Sequence, residues 1–91
     1  MQFKRIKKLI EDNNGIITNI GIARNKYNEK DYFSHIEFIF RGKIYKIYYS
    51  IDKIKNFEYS FAEGTEKNNI TIMASNKSYI EIKNMLLCIF H

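Results

Sequence analysis

The chain has 91 residues, a formal net charge of +5, 45% hydrophobic residues and 27% charged residues. This composition argues against an intrinsically disordered chain, and the length predicts one domain over residues 1–91. The single cysteine, Cys88, excludes an internal disulfide bond and a cysteine-based metal cluster. The positive charge favours a nucleic acid or an acidic protein as partner, although it also serves solubility.

Residues 2–13 have the spacing of an amphipathic helix, and Asn13-Asn14-Gly15 predicts where it stops. The basic start of the chain lacks the apolar core of a secretory signal, and the apolar run 85–90 is too short to span a bilayer. We therefore expect a cytoplasmic protein without a membrane partner. The apolar face of the helix comprises Phe3, Ile6, Leu9 and Ile10, opposite the cations Lys4, Arg5 and Lys8.

Residues 32–51 carry the clearest pattern, because apolar residues alternate on both sides of Gly42. A glycine there can adopt the positive φ of a tight hairpin. A two-residue turn at Arg41-Gly42 or at Gly42-Lys43 assigns the same residues to each face of the hairpin, whereas a three-residue loop would change that assignment. The predicted inner face holds Ile36, Phe38, Phe40, Tyr45, Ile47 and Tyr49. The predicted outer face holds His35, Glu37, Ile39, Arg41, Ile44, Lys46, Tyr48 and Ser50.

Other strands are predicted on either side of this hairpin. Residues 16–23 alternate as a first strand, with Ile16, Thr18, Ile20 and Ile22 on one side, and residues 25–31 form a polar loop. Strands over 57–61 and 70–73 are favoured over a short helix through Ile54, Phe57 and Phe61.

A final helix is predicted after Ser78, which has Glu81 at capping-box spacing. The fold class is therefore α+β: an N-terminal helix, an antiparallel meander of four to five strands and a C-terminal helix, with both helices on one face. Residues 85–90 are apolar nearly all round the predicted helix, and packing on one sheet uses only one stripe of a helix. The surplus is therefore covered either by another element, for which residues 52–62 are the candidate, or by a second chain in a homodimer through this helix. The predicted core stripe holds Tyr79, Ile82, Leu86, Ile89 and Phe90, and the surplus is Met85, Leu87 and Cys88.

Catalytic chemistry has little support in the sequence. His35, Glu37 and Lys46 share the outer face, but such a trio is typical of a solvated charge patch. The two histidines, His35 and His91, have no metal-site spacing, Cys88 has no neighbouring base, and the scattered glycines form no phosphate loop. We expect no enzyme activity, no cofactor and no metal.

Three features favour nucleic-acid binding by Lys4, Arg5 and Lys8 with the hairpin lysines. The first is the basic stripe of the N-terminal helix, whose cations near the helix N-terminus oppose the helix macrodipole. The segment 41–48 partly resembles the RNA-recognition-motif sheet signature, in which Lys/Arg-Gly opens a strand and two aromatics stack on bases. Tyr45 and Tyr48 match those aromatics, but the predicted strand places them on opposite faces. The element order also resembles double-stranded-RNA-binding domains, although only Lys77 and Lys83 stand where that family has a lysine cluster.

Protein binding is the function that the sequence favours, because the outer face mixes aromatic, arginine and aliphatic residues. The predicted contacts are Arg41, Lys43, Lys46, Tyr48 and His35. The composition is rich in residues with AT-rich codons, which indicates a low-GC bacterium or its phages and plasmids. In size, charge and lack of catalytic motifs the chain resembles accessory proteins of phages and mobile elements, anti-CRISPR proteins included. That resemblance implies an inhibitor that occludes a host protein or nucleoprotein complex; the alternative is a basic DNA- or RNA-binding domain.

Overall fold

The computed structural model describes residues 2–24, 31–51, 57–66 and 69–91. Five strands form one antiparallel meander in the order β1-β2-β3-β4-β5, and both helices pack on the same face of it. This confirms the predicted α+β fold and the strands after residue 56; most of the predicted 25–31 loop lies outside the described residues. The elements are α1 (Gln2–Asp12), β1 (Ile16–Arg24), β2 (Asp31–Phe40), β3 (Lys43–Ile51), β4 (Phe57–Gly64), β5 (Ile70–Lys77) and α2 (Tyr79–Phe90).

The β2–β3 turn contains two residues, Arg41 and Gly42, because Phe40 pairs directly with Lys43. Both turn residues have positive φ, 50° and 78°, as in a type I′ turn, whose twist matches that of the flanking strands. The turn fixes the parity of the hairpin and confirms its faces. Phe38 is 0% exposed on the inner face, whereas Tyr48 is 38% exposed on the outer face.

The core lies between the inner face of the sheet and the two helices. Phe38 stacks on Tyr45 with ring centroids 5.1 Å apart and also contacts Phe90 of α2, at 6.0 Å. Phe90 in turn meets the edge of Phe40 at 4.9 Å. Phe38 thus links the centre of the sheet to the last turn of α2. The buried cluster comprises Ile6, Ile10, Ile36, Phe38, Tyr45, Ile47, Tyr59, Phe61, Ile82, Leu86 and Phe90.

The end of α1 and the start of α2 are each determined by residues that are close to them in sequence. At the end of α1, Asn14 rather than Gly15 takes the left-handed conformation, with φ 67°. Position 15 requires glycine because a Cβ there would clash with Ile10, at 2.6 Å from its Cγ2 atom. At the start of α2 the predicted capping box is present: the Glu81 backbone N–H donates to Ser78 Oγ at 3.3 Å, and the Ser78 N–H donates to the Glu81 carboxylate at 3.2 Å. No described helix has the length and apolar content needed to cross a membrane.

Both edge strands are irregular. In β1 the ladder shifts between Ile17 and Asn19, so Ile17 and Ile20 both pack against the core while Ile16 is 65% exposed. The strict alternation predicted for this strand is therefore wrong, because a bulge at Thr18 inserts one extra residue. The β4–β5 ladder shifts twice. Bulges at edge strands hinder the addition of a further strand.

Candidate partner-binding face of the sheet

The outer face of the sheet is covered by neither described helix. Directly paired residues share a face, so the register places one row of side chains across all five strands beside the β2–β3 turn. Within this row Gly64 separates the isoleucines of β3 and β5. Ile72 lies in the next row of the same face, because it pairs with Ala62, which pairs with Lys46. Ile16, Ile39 and Ile72 are 65%, 37% and 60% exposed. We call Ile16, Ile39, Ile44, Ile70 and Ile72 the isoleucine patch.

Next to the isoleucine patch lies a buried carboxylate. Glu37 is only 5% exposed although it projects from the outer face. The Thr18 hydroxyl donates to Glu37 Oε1 at 2.9 Å, and Lys46 Nζ lies 3.7 Å from Oε2. The predicted solvated charge patch is therefore wrong for Glu37, because the bulge at Thr18 brings a hydroxyl over it and Lys46 covers it from β3. The charge at the centre of this face is thus paired within the chain.

His35 and Tyr48 form the row beyond this ion pair. Their ring centroids are 6.1 Å apart, and His35 Nε2 lies 3.4 Å from Asn19 Nδ2. Lys46 Nζ lies 5.6 Å from the centroid of the Tyr48 ring, within the range of a cation–π contact. Burial lowers the pKa of His35, and the nearby Lys46 charge lowers it further, against a smaller opposite effect of Glu37. The imidazole is therefore harder to protonate than an exposed histidine.

Acidification should weaken the fold through His35. Because the folded-state pKa of His35 lies below its ordinary value of 6.5, the unfolded chain binds the proton more readily, and stability falls as the pH drops through that value. We expect the free energy of unfolding to fall less between about pH 7.5 and pH 5 in His35→Gln than in the wild type. Urea unfolding at both pH values measures this. His91→Gln, at the exposed chain end, is the matched control and should keep the wild-type slope.

The structure brings together three of the five predicted contact residues: His35, Lys46 and Tyr48 share the outer face. The two others lie elsewhere. Arg41, predicted on that face, is in the turn with its guanidinium carbon 5.0 Å from the centroid of Phe40, an inner-face ring. Lys43 pairs with Phe40, which places it on the helix-bearing side. There it lines a shallow cavity of about 350 Å³ together with Glu63, Gly64, Thr65, Asn69, Thr71 and Met73.

No protein-family model, curated protein or solved structure matches the chain. Its function is therefore inferred from the residues of its own surfaces.

The predicted nucleic-acid contacts lie on α1, on the other side of the molecule. Lys4, Arg5 and Lys8 are all exposed. Lys8 forms a 2.7 Å ion pair with Asp12, and its hydrogen bond to that carboxylate raises the pKa of the ammonium group. A similar pair joins Lys7 and Glu11 at 3.7 Å. Within the part of the chain that the structure describes, Lys4 and Arg5 have no such pairing.

Two of the aromatic and apolar residues that suggest other sites, Tyr45 and Met85, pack in or against the core. Tyr45 is 5% exposed and stacks in the core, so it forms no common platform with Tyr48. On α2, Met85 packs against the core, Leu87 is half-buried, and Cys88 is exposed. Ile80, 66% exposed, is the most prominent apolar side chain of that helix. Among the described residues no group of three or more His, Cys, Asp or Glu side chains could hold a metal ion.

Proposed function

We propose that the protein is a small, non-enzymatic protein-binding module that covers a functional surface of its target with the outer face of its sheet. The observation that carries this proposal is the isoleucine patch, the apolar side chains that β1, β2, β3 and β5 contribute to the outer face, with Ile16 and Ile72 at least 60% exposed. Apolar areas of this kind, bordered by aromatic and polar residues, are typical of the centres of interfaces.

The pairing of Glu37 supports the same proposal. A charge buried in an interface without a partner costs several kcal/mol, so a face that carries one resists desolvation. Here Thr18 and Lys46 already satisfy the carboxylate. A target can therefore cover this face without supplying a counter-charge, and the exposed Tyr48 adds an aromatic anchor beside it.

The class of target is proposed from composition. A small basic chain with many AT-rich codons is similar in kind to the inhibitors of phages and mobile elements, anti-CRISPR proteins among them. The proposed mechanism is steric occlusion of a host protein or nucleoprotein complex in the bacterial cytoplasm. It requires only a preformed face and no catalytic group.

Substitution of the face should abolish target binding without loss of fold. Ile39→Lys combined with Tyr48→Ala places a charge in the isoleucine patch and removes the aromatic anchor, so we expect at least about 100-fold weaker binding. The complex captured from the native host is first identified by mass spectrometry, and its activity is then assayed with each variant. Inhibition should require the intact face.

The matched control is Ile80→Lys, which places the same charge on the exposed side of α2. It should bind and inhibit like the wild type. Equal loss in both variants, or inhibition that survives in the face variant at an unchanged melting temperature, would remove the proposal.

A nucleic-acid-binding function is the second candidate, favoured by the exposed Lys4 and Arg5, which have no ion pair among the described residues. Phosphate contacts predict binding that weakens by orders of magnitude between about 50 and 200 mM salt. A gel shift with duplex DNA and RNA tests this, with Lys4→Glu/Arg5→Glu as the variant and Asn84→Glu, on the exposed side of α2, as the control. No shift at low salt would remove this candidate.

A further inference from the structure

We infer that, before a target is bound, two copies of this chain bury their outer sheet faces against each other. The inference rests on the same face as the proposed function. It assigns a second copy of the chain as the partner that occupies this face in the absence of the target. Target binding would then compete with self-association.

The first support is the distribution of charge. The chain carries a net charge of +5, so two copies repel each other wherever their cations meet. The cations of α1 that have no ion pair among the described residues, Lys4 and Arg5, lie on the helix-bearing side. On the outer face, Lys46 is paired with Glu37. Packing face to face therefore joins surfaces on which this described charge is already paired, and it keeps the basic helices on the outside of the pair.

The second support is area. Five strands about 4.8 Å apart, with about 3.3 Å per residue along strands of this length, give a sheet roughly 24 Å wide and 30 Å long. Its projection is roughly 700 Å², and side-chain relief adds to the accessible surface. A stable interface needs about 800 Å² from each partner. The face is therefore of sufficient size for a two-fold sheet sandwich, in which sheets lie about 10 Å apart.

The third support is the state of the sheet edges. Association through an edge needs a regular row of unpaired backbone groups, but β1 and β5 both carry bulges. The isoleucine patch, by contrast, lies on the face of the sheet, where β1, β2, β3 and β5 supply its side chains and Gly64 of β4 lies between those of β3 and β5. Self-association is thus favoured through the face rather than along the sheet.

Sedimentation equilibrium of the purified protein from about 1 to 100 µM tests the inference. We expect a dimer in the wild type and at least a 30-fold larger dissociation constant for Ile16→Lys, because Ile16 is 65% exposed and tolerates the change in the monomer. Ile80→Lys on α2 should leave the dimer intact. Ile72→Lys on β5, 60% exposed, is a second variant of the same face and should repeat the Ile16→Lys result.

A wild type that is monomeric at 100 µM overturns the inference and leaves the proposed occlusion of a target untouched. Dissociation by Ile80→Lys but not by Ile16→Lys also overturns it, and assigns the dimer to the C-terminal helix. If Ile16→Lys and Ile72→Lys dissociate the dimer but still inhibit the target, self-association through the outer face is supported and the proposed function is removed. The two hypotheses therefore fail separately.

Discussion

Phe38→Ala is expected to lower the free energy of unfolding by about 3–5 kcal/mol, a large share of the total stability of a small domain. Phe38 is fully buried and stacks between Tyr45 of the sheet and Phe90 of α2. Its truncation removes the transfer free energy of the ring and leaves a cavity between sheet and helix, where both sides are held by other contacts. The change is measured by urea unfolding followed by circular dichroism.

Ile39→Ala is the matched control for Phe38→Ala, because the two residues are adjacent in β2 and point to opposite faces. Ile39 is 37% exposed, so its truncation should cost about 1 kcal/mol or less. Similar losses for the two variants would contradict the assignment of the inner and outer faces.

Lys46→Met is expected to cost about 1–3 kcal/mol, although the residue lies on the outer face. The substitution keeps most of the aliphatic stem but leaves the buried Glu37 carboxylate with the Thr18 hydroxyl as its remaining described partner. The Lys46 side chain is 24% exposed, which keeps the cost below that of breaking a fully buried ion pair. Glu37→Leu should cost less, because the freed ammonium group can reach water.

The double substitution Glu37→Leu/Lys46→Met completes a double-mutant cycle with the two single variants. Replacing both members of a buried pair by apolar groups is often close to neutral, so the double variant should lose less than the sum of the single variants. Lys43→Met serves as control, since Lys43 is exposed and has no ion pair among the described residues. Additive losses in the cycle would show that Glu37 and Lys46 do not interact energetically.

The local parts of this fold follow from the sequence because their causes lie within a few residues. The hairpin faces depend only on the parity about Gly42, and a two-residue turn preserves it. The start of α2 depends on Ser78 and Glu81, three residues apart. The end of α1 follows from Asn13-Asn14-Gly15, although the residue with positive φ is Asn14 and not Gly15.

The features that depend on contacts between residues far apart in sequence could not be predicted from local sequence patterns. The isoleucine patch brings together residues of β1, β2, β3 and β5, and its formation depends on the register of strands that are far apart in sequence. The burial of Glu37 depends on a bulge at Thr18, and no single residue in the sequence indicates that bulge. The sequence predicts Arg41 and Lys43 as contacts, but their positions in and beside the turn separate them from His35, Lys46 and Tyr48.

Methyl NMR of protein labelled at its isoleucine δ1 groups, with and without the identified target complex, tests the use of the outer face most directly. Binding there should broaden or shift the methyl signals of the isoleucine patch, led by Ile16, Ile39 and Ile72, because these side chains enter the interface. The signals of buried Ile10 and Ile82, and of exposed Ile80 on α2, should keep their shifts. Changes confined to Ile80, with the isoleucine patch unaffected, would contradict the outer face as the binding surface.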